Sequence, residues 1–502
     1  MPRKVAIIGA GMGGLAAAMD LARVGCEVDI FERAGVPGGK ARRLRPMQTD
    51  SSQQDIEGID AGPTVFTYRE VFEQLFADAG CRLDEEVSLH ATPVLARHLW
   101  REGGQLDLMV DRAESTSRIG EFAGPQAARE YQNFCRESAA IYSALRDSFM
   151  CQPLRGPTSF MLRLLRDQQR FHSLAAMWRA PPWQNLWQAL HRRFSDPRLR
   201  QLFARYSTYV GSSPLAAPAT LMLIAHVEQE GVWLIRGGMQ SLATAMARAS
   251  ERMGARLHYH SHVARVIIER SRVVGIELKD GQTFSCDTVI FNGDAQALAS
   301  GLLGNEARTA TSARSIEQRG LSAITWCRHA TLTGFEPAYH NVFFAEDYPR
   351  EFLDIFDRRQ VTEWPTVYLC AQDRGTGKTM TGAERMLLLV NAPADGDRDG
   401  VSDAALHHIE TQVSRLLADC GVTLGHGPSV VTRPQEFAQL FPGSSGSLYG
   451  AANHGAFASF QRPSARTRIQ GLWLAGGSAH PGPGVPMATL SGRIAAAECL
   501  AP

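Results

Sequence analysis

The chain has 502 residues, with 52 Lys and Arg against 51 Asp and Glu and a formal net charge of +1 at pH 7. That length exceeds one ordinary domain and predicts two or more substructures sharing a large core, while the charge balance leaves no global field to draw the chain onto nucleic acid or an anionic membrane. Nine scattered cysteines, without a Cys-x-x-Cys pair, argue against a disulfide framework or a zinc site, and no apolar run of roughly 20 residues or cleavable leader pattern stands out, so a chain neither exported nor spanning is expected.

Lys4 to Ile8 (KVAII) is a short apolar run without helical periodicity, as in a parallel strand buried on both faces. Gly9-Ala10-Gly11-Met12-Gly13-Gly14 breaks it, Leu15 to Val24 is a good helix former, and Cys26 to Phe31 reads as a second strand ending at Glu32. This is a strand, turn, helix and strand able to hold a dinucleotide. Gly9 permits the tight turn, Gly11 lets backbone approach a pyrophosphate, Gly14 lets the helix pack on the sheet, and the phosphates would sit on the helix N-terminus around Met12. Glu32 follows Gly9 by 23 positions, the place for a carboxylate that accepts from the adenosine ribose hydroxyls and repels a 2′-phosphate.

A second glycine turn, Gly35-Val36-Pro37-Gly38-Gly39-Lys40-Ala41-Arg42, follows at once. An NAD site has no need of it. It resembles the Gly-Gly-[Arg/Lys] segment of amine-oxidase-like flavoproteins, with Gly39 close to cofactor and Lys40 or Arg42 able to reach phosphate oxygens. Gly237-Gly238-Met239 precedes a helical stretch, His258 to Arg270 and Val273 to Leu278 read as two strands, and Cys286 to Phe291 reads as a third run. Near the C-terminus Gly471 to Gly477 is a strand and glycine turn, then comes His480-Pro481-Gly482-Pro483-Gly484-Val485-Pro486-Met487, with a helix expected from Ala488 to Leu500. A helix opening after Val485, Pro486 and Met487 would stabilise negative charge on the pyrimidine end of a reduced flavin. FAD is therefore the expected cofactor, and no metal is required. The expected fold is α/β, a Rossmann-like FAD-binding domain interleaved with an α+β substrate domain: residues 1–70, 230–300 and 465–502 on the cofactor side, 71–229 and 301–464 on the substrate and membrane side.

With these residues in place, the chain resembles the bacterial carotenoid desaturases of the phytoene-desaturase type over nearly its whole length. The shared segments are Asp60-Ala61-Gly62-Pro63-Thr64-Val65-Phe66-Thr67, Tyr209-Val210-Gly211-Ser212-Ser213-Pro214 with Ala217-Pro218, Gly231-Val232-Trp233 leading to Gly237-Gly238-Met239, and the C-terminal HPGPGVP. Ala475 to Arg493 resembles the 1-hydroxycarotenoid 3,4-desaturase (methoxyneurosporene desaturase) branch. The polar stretch 46–58 reads as a surface loop. The resemblance implies Gly62, Gly477 and the backbone of Val263, the last against adenine, as further FAD contacts. It also implies hydride transfer from an acyclic 1-hydroxy or 1-methoxy carotenoid, such as 1-hydroxyneurosporene, to flavin N5, within spheroidene- or spirilloxanthin-type biosynthesis. Phytoene desaturase, or an amine or porphyrinogen oxidase of the same fold, is the alternative. No residue is singled out as catalytic or as the proton acceptor.

A second Gly-x-Gly-x-x-Gly is absent, and Gly375-Thr376-Gly377-Lys378-Thr379 has Gln372 where a phosphate loop needs glycine; oxygen or a membrane quinone is the expected electron acceptor. Phe160 to Phe194 mixes aromatic and apolar residues with Arg163, Arg166, Arg170, Arg179, Arg192 and Arg193 against Asp167 alone. Such a segment suits either a pocket roof or a helix lying on a bilayer, and a substrate dissolved in lipid favours the second: cytoplasmic, peripherally associated with the inner photosynthetic membrane. His407-His408 lacks metal-ligand spacing, while His480 is placed to shape the flavin-proximal turn.

Overall fold

A computed structural model describes residues 2–47, 57–166, 180–181, 183–375, 380 and 382–501. Five parallel strands, Lys4–Ile8, Glu27–Phe31, Arg256–His258, Thr288–Phe291 and Leu472–Leu474, form one sheet. Lys4–Ile8 lies at its centre, between Thr288–Phe291 and Glu27–Phe31. Ile7 pairs with both Ile30 and Ile290, and all three are fully buried; the central Lys4–Ile8 and the Thr288–Phe291 strands are apolar on both faces, while Glu27–Phe31 alternates charged and buried residues. A second, mixed sheet of seven strands takes in Val94–Trp100, Gln105–Met109, Ser322–Ala330, His340–Phe344, Val367–Ala371, Glu384–Ala392 and Ser429–Thr432. The first sheet thus draws on three distant stretches of chain, and the second on the stretches between them.

The first helix spans Met12–Ala22 and every residue in it is buried. It begins three residues before the expected Leu15, because Gly11 takes the N-cap position with extended backbone. The last helix spans Val485–Leu500, not Ala488 to Leu500. Pro486 fits its first turn, where a missing N–H removes no helical bond. The stretch His258 to Arg270 is not one strand. His258 ends the parallel strand Arg256–His258, and Val263–Glu269 starts a three-stranded antiparallel sheet with Arg272–Leu278 and Thr283–Ser285. The chain turns at His260, with φ of 54°, at a site that carries neither Gly nor Pro to mark it in the sequence. Likewise Thr288–Phe291 returns to the parallel sheet instead of extending the hairpin.

The Asp60 to Phe66 segment joins the two lobes. The Phe66 carbonyl accepts from Trp233 N at 3.0 Å, so two of the resembling segments lie side by side. Asp60 is 4% exposed, and its Oδ2 accepts from Met239 N at 2.8 Å at the start of the Met239–Arg252 helix. A Cβ at Gly238 would stand 2.4 Å from that carboxylate. Gln372 from the seven-stranded sheet side accepts from Asp60 N at 2.8 Å and donates to Asp60 O at 2.9 Å.

Burial pushes the Asp60 carboxyl up to about 6 from 3.8, against the pull of the Met239 N–H and of Arg43 and Arg385. The folded chain therefore holds a proton between those values that the unfolded chain releases, so Asp60 lowers stability as pH rises from about 4 to about 6 and contributes a constant cost above. Asp60→Asn keeps the helix cap and removes the titration. Its melting temperature should gain on wild type from pH 4 to pH 7, by the equivalent of about 3 kcal/mol; a difference that does not change with pH contradicts this.

Candidate flavin site

Gly9 adopts φ of 98°, and its N–H donates to Phe31 O at 2.8 Å, which draws the first glycine turn over the end of the second strand. The second turn lies against the first: Gly38 N donates to Ala10 O at 2.8 Å, and a Cβ at Gly39 would stand 3.3 Å from Gly11 Cα. A side chain at Gly14 would meet the Gly9 carbonyl at 2.2 Å, and one at Gly62 would meet the Lys40 carbonyl at 1.8 Å. These glycines make a surface of bare backbone that larger residues would fill. No side chain caps the helix at Met12 and its first turn carries no acid, so its N–H groups and its positive dipole end are available to an anion.

Glu32 closes the far side. Its Oε2 accepts from Ala10 N and its Oε1 from Ala34 N, both at 2.8 Å. Each carboxylate oxygen has a second acceptor direction, so the residue can hold the turn and still receive ribose hydroxyls. The segment before Val263 runs beside it: Ser261 N donates to Glu32 O at 2.8 Å and His260 N to Ala34 O at 3.1 Å. Val263 itself is buried in the cluster that includes Phe31 and Phe291.

The structure directs the two expected cations elsewhere. Lys40 Nζ donates to Leu448 O at 2.6 Å and lies 5.4 Å from the Phe441 ring, with its pKa lowered by burial. Arg42 donates to Thr432 Oγ1 at 3.0 Å. Both tie the second glycine turn to the substrate lobe.

At the C-terminal turn, Gly476 N donates to Ser491 Oγ at 3.1 Å, and the Gly477 carbonyl accepts from Arg462 at 3.2 Å. The last helix opens at Val485, with Pro486 and Met487 in its first turn, no side-chain cap and no acid there. Two residues that the sequence does not announce hold this region. Asn292 donates to Gly9 O at 3.1 Å, and its amide oxygen would lie 2.6 Å from a Cβ at Gly476 and 2.7 Å from one at Gly13. Buried Arg462 donates to Asn453 Oδ1 and to the carbonyls of Tyr449, Ala451 and Gly477. Burial lowers its pKa to about 10, with Asp294 opposing. Asn292 sits in the Asn-Gly-Asp strand exit, a visible break without a visible role; Arg462 is one arginine among many.

His480 is buried. Its Nε2 lies 2.8 Å from Gln152 O and 3.1 Å from Phe149 O, so Nε2–H donates to these carbonyls and anchors the turn. Burial lowers its pKa to about 4, which keeps the ring neutral near pH 7. His407 and His408 are exposed on the Asp403–Asp419 helix. Among the described residues no group of three His, Cys, Asp or Glu could hold a metal ion. Residues 376–379 of the glycine-lysine turn and most of the polar stretch 46–58 lie outside the described residues.

The family model "Flavin containing amine oxidoreductase" matches residues 12–500. The chain belongs to this family. It is 44% identical to a protein named hydroxyneurosporene desaturase from Rubrivivax gelatinosus, over 99% of this chain and 93% of that one. It is 42% identical to a protein of the same name from Cereibacter sphaeroides, over 99% and 97%. Among solved structures, a putrescine oxidase variant shares the fold at a TM-score of 0.59 and 13% identity, covering 100% of this chain and 99% of its own. The protein is an FAD-dependent oxidoreductase, and the bare-backbone cradle and uncapped helix start fit that cofactor.

Glu32→Ala removes two charge-assisted acceptors from the turn and from the ribose position. FAD affinity, read by titration of the apoprotein, should fall at least tenfold, in line with about 1.5–3 kcal/mol for a hydrogen bond to a charged group; unchanged affinity would place the ribose elsewhere.

Proposed function

We propose that the protein introduces the C-3,4 double bond into an acyclic 1-hydroxy or 1-methoxy carotenoid. The observation that carries this reading is the similarity, at 44% and 42% identity over nearly the whole chain, to proteins named hydroxyneurosporene desaturase. The apolar substrate lobe supports it. Tyr131, Phe134, Phe194 and Phe203 form one fully buried aromatic cluster there, with ring centroids 4.5–5.8 Å apart, a setting that excludes water.

Bound FAD supplies the hydride acceptor for such a reaction. Residues 1–70, 230–300 and 465–502 would hold it, with Gly9, Gly11, Met12, Gly14 and Gly39 against the pyrophosphate, Glu32 on the ribose, Val263 at the adenine, and Gly62, Gly477, Val485, Pro486 and Met487 toward the ring. Residues 71–229 and 301–464 would orient the polyene and keep water out. A quinone or oxygen would take the electrons onward.

The same reading places the protein on a membrane surface, where a carotenoid dissolves. No helix among the described residues is long and apolar enough to cross a membrane. The helix Pro157–Arg166 buries Phe160 against Phe149 and Phe460 and leaves Met161 and Leu162 exposed. Phe457, one turn from Phe460, and Trp183 are also exposed. Phe171, Trp178 and the flanking Arg170 and Arg179 fall outside the described residues.

Expression in bacteria that accumulate 1-hydroxyneurosporene should yield the 3,4-desaturated pigment, whereas a phytoene-accumulating host should stay colourless. Coloured products from phytoene would transfer the assignment to phytoene desaturation. The double variant Met161→Asp, Leu162→Asp should cut liposome binding at least about tenfold while retaining flavin, because burying one such side chain contributes about 1.5–3 kcal/mol; wild type that fails to bind liposomes removes the membrane from the reading.

A further inference from the structure

Beside the Leu472–Leu474 edge strand, where the two lobes meet, a cleft of about 650 Å³ opens, within the roughly 300–1,000 Å³ of ordinary small-molecule sites. Its walls are residues 310–312, the loop 463–468, Leu154 with Arg155, and Glu498 of the last helix. Backbone bonds pin the loop: Leu474 N donates to Ala465 O at 2.8 Å, His480 N to Pro463 O at 2.9 Å and Arg468 N to Ala310 O at 3.4 Å. Three guanidinium groups, Arg155, Arg466 and Arg468, line the cleft against one carboxylate, Glu498. Arg155 pairs with Glu498 at 3.1 Å. The Arg466 and Arg468 side chains have no hydrogen-bond or ion-pair partner among the described residues, and Arg466 rests over the Trp473 ring at 5.4 Å. A chain of formal charge +1 thus gathers a local excess of two positive charges in one concavity. Guanidinium groups only donate and match phosphate oxygens in pairs, so the cleft suits a phosphate-bearing ligand.

The surroundings say which one. Leu154 and Arg155 lead into the Pro157–Arg166 helix, and Arg163 Nη1 donates back to Pro153 O at 3.2 Å. Phe160 of that helix packs on Phe460 with ring centroids 5.3 Å apart, and Phe460 stands three residues before the loop 463–468. The exposed Met161, Leu162 and Phe457 therefore adjoin the basic walls. A soluble phosphate needs no such neighbours. A bilayer meets both features at once, because apolar side chains enter the boundary between headgroups and acyl chains while adjacent cations meet the lipid phosphates.

We propose that the cleft of Arg155, Arg466 and Arg468 is a headgroup site for an anionic phospholipid, occupied while Met161, Leu162 and Phe457 enter the bilayer. The proposal rests on the membrane reading, to which it adds a lipid class and an orientation: the side where residues 154–162 meet residues 457–468 faces the membrane.

The test is flotation of the flavin-loaded protein with phosphatidylcholine vesicles made with and without phosphatidylglycerol. Wild type should bind the anionic vesicles at least about tenfold more tightly. The double variant Arg466→Gln, Arg468→Gln should lose that advantage while keeping its binding to neutral vesicles, its flavin and its melting temperature. Arg129→Gln, Arg248→Gln removes the same charge from exposed positions outside the cleft and should keep most of the advantage. Equal binding of wild type to both vesicles, or an equal loss in the two double variants, means that no local site exists, and the proposal fails alone. Inorganic phosphate at matched ionic strength should leave the advantage in place; if millimolar phosphate abolishes it, the cleft takes free phosphate and the lipid proposal again fails alone. Wild type that floats with neither vesicle overturns the membrane reading and the proposal together.

Discussion

The first and last helices touch backbone to backbone, and the cofactor lobe depends on that contact. A methyl at Gly492 would fall 1.9 Å from the Gly13 carbonyl, and one at Gly13 would strike Ala488 O, Gly476 N and the Asn292 amide. No side chain fits between Met12–Ala22 and Val485–Leu500 at Gly13 and Gly492, so the helices pack backbone on backbone where they cross there. This explains why the first helix is buried all round rather than amphipathic: the sheet takes one face and the last helix takes another. It also brings the second helix N-terminus, at Val485, to the same region as the first, at Met12.

Joining the chain ends in this way forces everything between to leave the parallel sheet and return to it. The seven-stranded sheet is built from those excursions, and beside an apolar seam, where Ile59, Ala61 and Leu234 pack on Cys327, Tyr339, Cys370 and Leu387, polar joints tie the lobes. Asp60 reaches the Met239–Arg252 helix, Gln372 clasps the Asp60 backbone, Lys40 reaches Leu448, and Arg462 spans from Tyr449 to Gly477. Lys40 and Arg462 are cations held mainly by carbonyl oxygens. Burial lowers both, and Asp294 offsets part of that cost for each. Hydrogen bonds of fixed direction set the angle between lobes more tightly than apolar packing would, which matters where one lobe must hold a long substrate against a group carried by the other.

The local parts of this fold were legible in the sequence because their causes are local. A buried parallel strand, a glycine turn and an alanine-rich helix each leave a pattern within about ten residues, and Lys4 to Glu32 shows all three in order. Ends were less legible: the last helix starts at Val485 because Gly484 and Pro486 suit an N-terminus, although Gly and Pro read first as loop. The break at His260 was hidden since no glycine marks it. Asn292 was not legible, because the Gly9 carbonyl it holds lies 283 positions earlier; Arg462 was not, because burial among the carbonyls of Tyr449, Ala451 and Gly477 leaves no mark on a chain rich in arginine. Lys40 shows the converse. Its place after two glycines suggested phosphate, and only the fold reveals the Leu448 carbonyl at its tip.

Charge placement in the substrate lobe makes a further step of sense on the desaturase reading. Loss of hydride leaves positive charge on the polyene, and an unbalanced guanidinium beside it would raise the barrier, since charges repel strongly where water is excluded. Arg205 is balanced: Glu228 faces it, and Tyr206 and Tyr209 hold that carboxylate through their hydroxyls while their rings lie 5.4 and 5.2 Å from the guanidinium. The pair is close to neutral seen from outside, yet two of its donors remain free. Tyr209 opens the Tyr-Val-Gly-Ser-Ser-Pro segment, and its hydroxyl, which accepts from Arg205 and donates to Glu228, gives one stretch that sequence resemblance singles out a structural task.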